Sequence, residues 1–307
     1  MHKNLGDLLL RYTSGTKNTL FLVAPFIKFD VISKICEVLS SEVNFTVITR
    51  WIPQEISVGV SDINIWKIVN DRPNSKLALC QNLHAKYYRF DDLCLVGSAN
   101  LTKQALGWKN LSNLELLLPY SFIDDSLVEF ESELISQSFI VNEEIYLEYN
   151  ILVEKINQEI SPKALYETNL FQPTFLWLPS LRNPEDLYYA YLSQWDRLTT
   201  LGKEISQKEL DNFAIPQGLS CETFKMYIGL FIRHTKILKT VDSYLDKPRR
   251  FGEMQNLVSN FLSDENLDFD PVYTWQTLMR WLLYFLPLRY SCKVFKYSEI
   301  FYLINDK

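Results

Sequence analysis

Residues Asn82–Asn100 read NLHAKYYRFDDLCLVGSAN. The aromatic and β-branched pattern predicts two strands, His84 to Phe90 and Leu93 to Gly97, turned tightly at Asp91-Asp92. Alternate side chains of a strand share a face, so His84 and Lys86 are expected to point together. Gly97-Ser98-Ala99-Asn100 ends the second strand with small and amide side chains. The set suits attack on a phosphodiester: an imidazole for in-line displacement, an ammonium for the anionic oxygens, and hydroxyl and amide donors for the rest. Taken singly, a strand histidine is more often structural and a Gly-Ser pair more often marks a turn. The inference rests on their occurring together.

Working outward, Asn18 to Phe26 (NTLFLVAPF) and Val43 to Trp51 (VNFTVITRW) read as buried strands. Asp30 to Leu39 is expected to be a helix with Asp30 as N-cap, and Asp62 to Asn70 a short helix capped by Ser61 or Asp62. Lys76 to Cys80 and Leu114 to Leu118 are further strands. Ile123 to Ser138 and Glu143 to Ile160 are helices. Alternating strands and helices followed by a hairpin predict an α/β fold with a mixed sheet. Pro162, Pro173, Pro179 and Pro184 then interrupt the chain. Beyond them the pattern is mainly helical, over 185–200, 206–213, 220–246, 252–263 and 271–286. Two domains are expected: 1–160, catalytic, and 161–307, a mainly α-helical C-terminal region for nucleic-acid or partner recognition.

The pattern H-x-K-x4-D followed by G-S-x-N resembles the signature of the phospholipase D superfamily, over roughly residues 15 to 120. His84, Lys86, Asp91, Gly97, Ser98 and Asn100 stand at its positions. The interval from Asp91 to Gly97 is one residue shorter than the family's usual spacing. Asn113-Leu114-Glu115 resembles the downstream N-x-E, in which the Glu helps orient the catalytic His. The resemblance implies a phospholipase D-like mixed β-sheet sandwiched by helices. It implies His84, Lys86, Ser98, Asn100 and Glu115 as catalytic residues, with Asp91 and Gly97 structural. It also implies a covalent phosphohistidine mechanism with no cofactor and no metal. That mechanism uses two histidines on opposite sides of the phosphorus, so a single-motif chain is expected to form a homodimer that completes its active site.

The only other H-x-K is His234-Thr235-Lys236. Its surroundings are helical, and residues two apart on a helix diverge by about 200°. His234 falls on the apolar face with Phe224, Tyr227, Phe231, Leu238, Val241 and Leu245, and reads as a core residue. His2 is terminal and without context. Lys103, Lys225, Arg233, Lys236 and Lys239 are the candidate nucleic-acid contacts, with Lys247, Arg249 and Arg250 just beyond. A solvated helix face is the more common meaning of such a ridge, and a phosphate-contacting ridge the functional one.

Composition bounds the function. The chain has 307 residues, 47% hydrophobic, with 9 Gly and 12 Pro, which suits a large ordered core. Aromatics make up 14%, ascribed mostly to that core. Residues 1–110 carry 13 Lys/Arg against 9 Asp/Glu, so the motif half is mildly basic although the net charge is −6. Nine acids and no base lie from Leu111 to Val153. Cys36, Cys80, Cys94, Cys221 and Cys292 form no C-x-x-C, so neither a metal site nor a disulfide framework is expected. The N-terminal apolar run is too short for a signal peptide, and Trp281 to Leu288 falls far short of a bilayer span. A cytoplasmic protein is expected. The leading functional reading is a DNA nuclease of the hydrolase class, with a microbial genome-defence role by resemblance to single-motif restriction-type enzymes. A non-catalytic nucleic-acid-binding or scaffold subunit of a larger defence complex is the alternative, followed by a phospholipid phosphodiesterase.

Overall fold

A computed structural model describes residues 4–121, 124–161, 165 and 176–304. His2, Ile123, Pro162 and Pro173, which enter the reading above, lie outside them. The chain divides into two compact units, Met1–Asn157 and Gln158–Lys307.

The first unit is a seven-stranded mixed sheet between helices. Its elements are α1 (Leu5–Gly15), β1 (Thr19–Val23), α2 (Phe29–Val38), β2 (Asn44–Thr49), α3 (Pro53–Ser57), α4 (Ile65–Asn70), β3 (Ser75–Leu79), β4 (Tyr87–Phe90), β5 (Leu93–Gly97), β6 (Leu117–Ser121), α5 (Asp125–Gln137), β7 (Phe139–Ile140) and α6 (Glu143–Glu159). The strand order is β6-β5-β4-β1-β2-β3-β7. β1, β2 and β3 are parallel, and the other pairings are antiparallel. Leu20–Val23 and Phe45–Thr49 are buried at every position, as strands covered on both faces must be. One face packs Phe21, Val23, Ile48, Tyr87 and Cys94 against Leu134, Leu127 and Phe130 of α5. α1 lies against β4 and α4 against β3, with α2 touching both helices.

Two features of the hairpin between β4 and β5 fix the site's frame. Phe90 pairs with Leu93, so Asp91-Asp92 is a two-residue turn, and the shortened interval to Gly97 is taken up there. Asp91 adopts φ +50° and its carboxylate accepts the backbone N–H groups of Lys17, Asn18 and Thr19, each at 2.8 Å. Partial burial opposes ionisation, but these three donors hold the carboxyl below its ordinary value. At the other end of β5, a Cβ on Gly97 would overlap the Leu116 carbonyl, so only glycine admits this approach of the chain ahead of β6.

Several expectations shift. His84 and Lys86 precede β4 rather than lying in it. β1 ends at Val23, opposite Tyr87, and Pro25 has no N–H to continue the ladder. Only the Lys86 carbonyl is reached, by Gly97 N at 3.3 Å. The strand expected at Leu114–Leu118 starts at Leu117. α2 is capped at Lys28 rather than Asp30, and Asp62 accepts Phe29 N at 2.9 Å. The N-cap of α4 is Asn64, with no side-chain cap bond.

The second unit is helical as expected, over Asp186–Tyr191, Thr200–Asp211, Cys221–Arg233, Lys236–Tyr244, Phe251–Asp264 and Pro271–Phe285. The single helix expected over 220–246 is two. Thr235 is extended and its hydroxyl donates back to the Ile232 carbonyl at 2.8 Å, a local bond that competes with helix continuation. The helix expected over 185–200 stops at Tyr191, and Ser193 turns with φ +56°. The sequence pattern does not announce a three-stranded sheet: β8 (Arg249–Arg250), β9 (Tyr290–Phe295) and β10 (Ser298–Leu303), ordered β8-β10-β9. Its turn is Lys296-Tyr297, without the Asn or Gly that marks hairpins. Much of the aromatic content is core: Trp177, Phe213, Phe231 and Trp281 form one cluster, and Trp275 packs on Phe301.

Replacing Asp91 with Ala strands three N–H groups and releases the start of β1. A loss of about 2 kcal/mol is expected at pH 7, read from the urea midpoint of the first unit's transition. The carboxylate's contribution is complete above its unfolded value, about 3.9, and vanishes as pH falls through the lower folded value. The difference between wild type and Asp91→Ala should therefore shrink below pH 4. A variant as stable as wild type at pH 7 would refute the clamp.

Candidate active site

β1, β2, β3 and β5 run parallel to one another and β4 runs against them. The carboxyl ends of those four strands and the amino end of β4 therefore share one sheet edge. Open α/β sheets bind ligands beyond such carboxyl ends. Arg50 follows β2, His84 and Lys86 lead into β4, and Gly97 and Ser98 close β5.

The chain leaves β3 through a turn, with Leu83 N donating to the Cys80 carbonyl at 3.1 Å, and passes directly into His84-Ala85-Lys86. Ala85 packs into the core on the α5 side. His84 is exposed and Lys86 half-buried, and Lys86 Nζ donates to the His84 carbonyl at 2.8 Å. The Lys86 charge, then burial, then the Arg50 charge hold the His84 imidazole below its ordinary value of 6.5. These effects favour the neutral ring, which has a lone pair to give. Burial first, and then Arg50, lower Lys86, while Glu115 opposes them.

The other motif residues are tied together by hydrogen bonds. Ser98 Oγ donates to Glu115 Oε2 at 2.5 Å and accepts Leu116 N at 3.1 Å. Asn113 Nδ2 donates to Glu115 Oε1 at 3.1 Å. The expected N-x-E glutamate thus holds the GSxN serine in place; among the described residues it makes no hydrogen bond to His84. Asn100 Oδ1 accepts Phe26 N at 3.4 Å, which leaves its amide N–H groups for a ligand. Tyr88 O–H donates to the buried Ala99 carbonyl at 2.5 Å, fixing the loop between Ser98 and Asn100. Asp91 stands apart at the far end of β4, roughly 15 Å along the strand from Lys86.

Arg50 is the residue that sequence reasoning missed. It is buried, its Nε and Nη2 bind Glu55 at 3.1 and 2.5 Å, and its Nη1 donates to the Leu83 carbonyl at 3.3 Å. It supports the residue before His84 and adds a second cation behind the site. The available signal was an arginine closing an apolar strand, since a buried cation must be paired.

Neither basic group forms a single exposed ridge. Lys103 is ion-paired with Asp30 and Lys236 with Glu265. Lys225 Nζ sits 3.8 Å over the Tyr284 ring. Arg233 closes one helix and Lys239 lies in the next. His234 is buried between those helices, and burial lowers its imidazole far below the ordinary value. Among the described residues no group of three His, Cys, Asp or Glu side chains is disposed to hold a metal ion, and no helix is long and apolar enough to cross a membrane.

No family model and no curated protein matches the sequence. Among solved structures the chain is similar to NucT from Helicobacter pylori, with 16% identity over 44% of this chain and 89% of that one, at a TM-score of 0.34. It is similar to phosphatidylserine synthase of Haemophilus influenzae Rd KW20, with 13% identity over 50% of this chain and 42% of that one, at 0.38. It is similar also to TrmBL2, an archaeal chromatin protein that binds DNA, with 12% identity over 41% and 45% of the two chains, at 0.28.

Proposed function

We propose that the chain is a metal-independent phosphodiesterase of phospholipase D type, acting as a homodimeric nuclease on DNA, with genome defence as its setting. One observation carries the reading. The exposed His84 imidazole, with Lys86 Nζ on its carbonyl, shares a sheet edge with Ser98, Asn100 and Glu115.

One His84 nitrogen attacks phosphorus, and the bond to the leaving oxygen breaks. The phosphodiester anion favours a proton on the His84 of a second copy, and that ring gives the leaving oxygen its proton. The second ring, now neutral, takes a proton from water, whose oxygen bonds to phosphorus as the N–P bond breaks. Both rings return to their starting states. Lys86 and the Asn100 amide hold the non-bridging oxygens, and Glu115 acts through Ser98 as a positioning residue.

The dimer is supported by what lies beside the half-site. Leu114, Leu116, Leu118 and Tyr120 alternate along and ahead of β6, the strand at the sheet edge, and all are exposed. Val96, opposite Leu118, extends the strip. An apolar strip of this kind marks an interface, and it runs from Glu115 itself, so a second copy seated there adjoins the catalytic edge.

Cleavage of single- and double-stranded DNA and RNA in EDTA is the first test, with His84→Ala expected to lose at least about 10³-fold in rate. Activity that disappears in EDTA, or survives His84→Ala, sinks the mechanism; DNA binding without cleavage would favour the non-catalytic subunit. As pH falls, protonation of the attacking ring removes its lone pair. The acid limb of the single-turnover rate should therefore have its midpoint below 6.5. Lys86→Met should move the His84 midpoint upward in an NMR titration; an unmoved midpoint contradicts the electrostatic account. Leu116→Asp with Leu118→Asp should convert a sedimenting dimer to monomer and abolish cleavage. A wild-type chain that is monomeric and active would exclude the shared site.

A further inference from the structure

The second unit carries a cationic and aromatic surface distinct from the helical ridge. In its small sheet, Arg250 and Lys293 both stand opposite Ile300, on either side of it. Side chains directly opposite share a face, as do alternate residues of one strand. Arg250, Lys293, Phe295 and Tyr302 therefore lie on one face with Ile300. The other face holds Tyr290, Cys292 and Phe301, and Phe301 is packed on Trp275 with ring centroids 5.2 Å apart. Glu299, the acid in β10, stands opposite Val294 and so lies off the cationic face.

The hairpin also projects. Val294 and Phe295 are both exposed although they point to opposite faces, and Tyr297 is fully exposed. Lys293 Nζ sits 5.4 Å from the Tyr302 ring centroid and Lys296 Nζ 5.4 Å from that of Phe295. The turn residues Lys296 and Tyr297 have φ of +48° and +61°, a region that favours Gly or Asn. Folding alone gives no reason to hold a lysine and an unburied tyrosine there.

We infer that this face and hairpin form a nucleic-acid contact, with Arg250, Lys293 and Lys296 on backbone phosphates and Phe295 and Tyr297 stacking on unpaired bases. The chemistry is that of surfaces that track single strands, where a cationic groove follows the backbone and aromatic rings accept any base. The two helices ahead, Phe251–Asp264 and Pro271–Phe285, have the order of a helix-turn-helix, whose second helix normally enters the groove. Here that helix is approached through Asp264, Glu265, Asp268 and Asp270, and Asp270 caps it by accepting Tyr273 N at 2.6 Å. Phosphates are repelled from its start, which leaves the sheet face as the cationic approach. The inference deepens the nucleic-acid reading above and takes its ligand from it.

The test uses the full chain carrying His84→Ala, so that binding is read without cleavage, and 30-nucleotide single-stranded and duplex DNA by fluorescence anisotropy. Arg250→Glu with Lys293→Glu and Lys296→Glu should raise Kd at least tenfold and flatten its salt dependence. The milder Lys293→Gln with Lys296→Gln should weaken binding in the same direction. Tyr297→Ala should weaken single-stranded DNA about tenfold and duplex less. In the catalytically intact background the same changes should leave hydrolysis of bis(p-nitrophenyl) phosphate within twofold. Unchanged DNA affinity in both charge variants overturns the inference, as does binding to phosphatidylserine vesicles without binding to DNA. Loss of small-substrate hydrolysis through His84→Ala alone, with DNA affinity indifferent to the hairpin, leaves the active-site reading standing. DNA binding that needs the hairpin in a chain that hydrolyses nothing leaves the hairpin inference standing and removes the nuclease.

Discussion

The Asp91 carboxylate, with its three backbone N–H donors at 2.8 Å, fastens the turn between β4 and β5 to the start of β1. The remaining geometry of the first unit follows from that attachment. It sets Tyr87 opposite Val23 and Val96 opposite Tyr87, so the ladder stops where Pro25 begins. The chain ahead of it, carrying His84 and Lys86, is thereby left outside the sheet, with His84 exposed and Lys86 half-buried. The buried faces of these strands specify the same register. A slip of one residue would exchange the faces of Tyr87 and Tyr88, bury Lys86 and move His84 off the catalytic edge.

On that frame the electrostatics are arranged to receive an anion. Lys86 and Arg50 both act on the His84 imidazole and both disfavour its proton. Arg50 is discharged in part by Glu55, which burial pushes toward neutrality and Arg50 draws back. Glu115 favours the Lys86 charge while holding Ser98. The result is an exposed imidazole in a cationic environment. In the proposed dimer, bringing two such edges together about a two-fold axis would bring like charges together, which an anionic ligand would offset.

The HxK and GSxN spacing made the candidate chemistry legible because it lies within one hairpin, where local turn length and strand period control the geometry. The same locality made the two-residue turn readable. Departures arose where a tertiary partner or an uncommon local turn decides. The end of the ladder at Val23 depends on a proline in a different strand connection. The helix break at His234–Thr235 depends on a hydroxyl bonding back to its own chain. The β9–β10 hairpin went unseen because its turn carries Lys-Tyr in place of residues that tolerate positive φ. Arg50 reads locally as an arginine closing an apolar strand, and its place behind His84 is set by Glu55 and the Leu83 carbonyl beside it.

The sequence by itself determined the residues of the candidate site, the alternating α/β order of the first unit and the helical character of the second. Those follow from hydrophobic period and short-range spacing. Only the tertiary structure decided which backbone groups Asp91 clamps, that Glu115 engages Ser98, and that Arg50 stands behind His84. It also decided that basic residues read as one helical ridge are divided, and that cations and aromatics far apart in sequence share one sheet face. The physical reason is common to these cases: hydrogen bonds and charge–charge effects act over a few ångströms in space, whatever the separation along the chain.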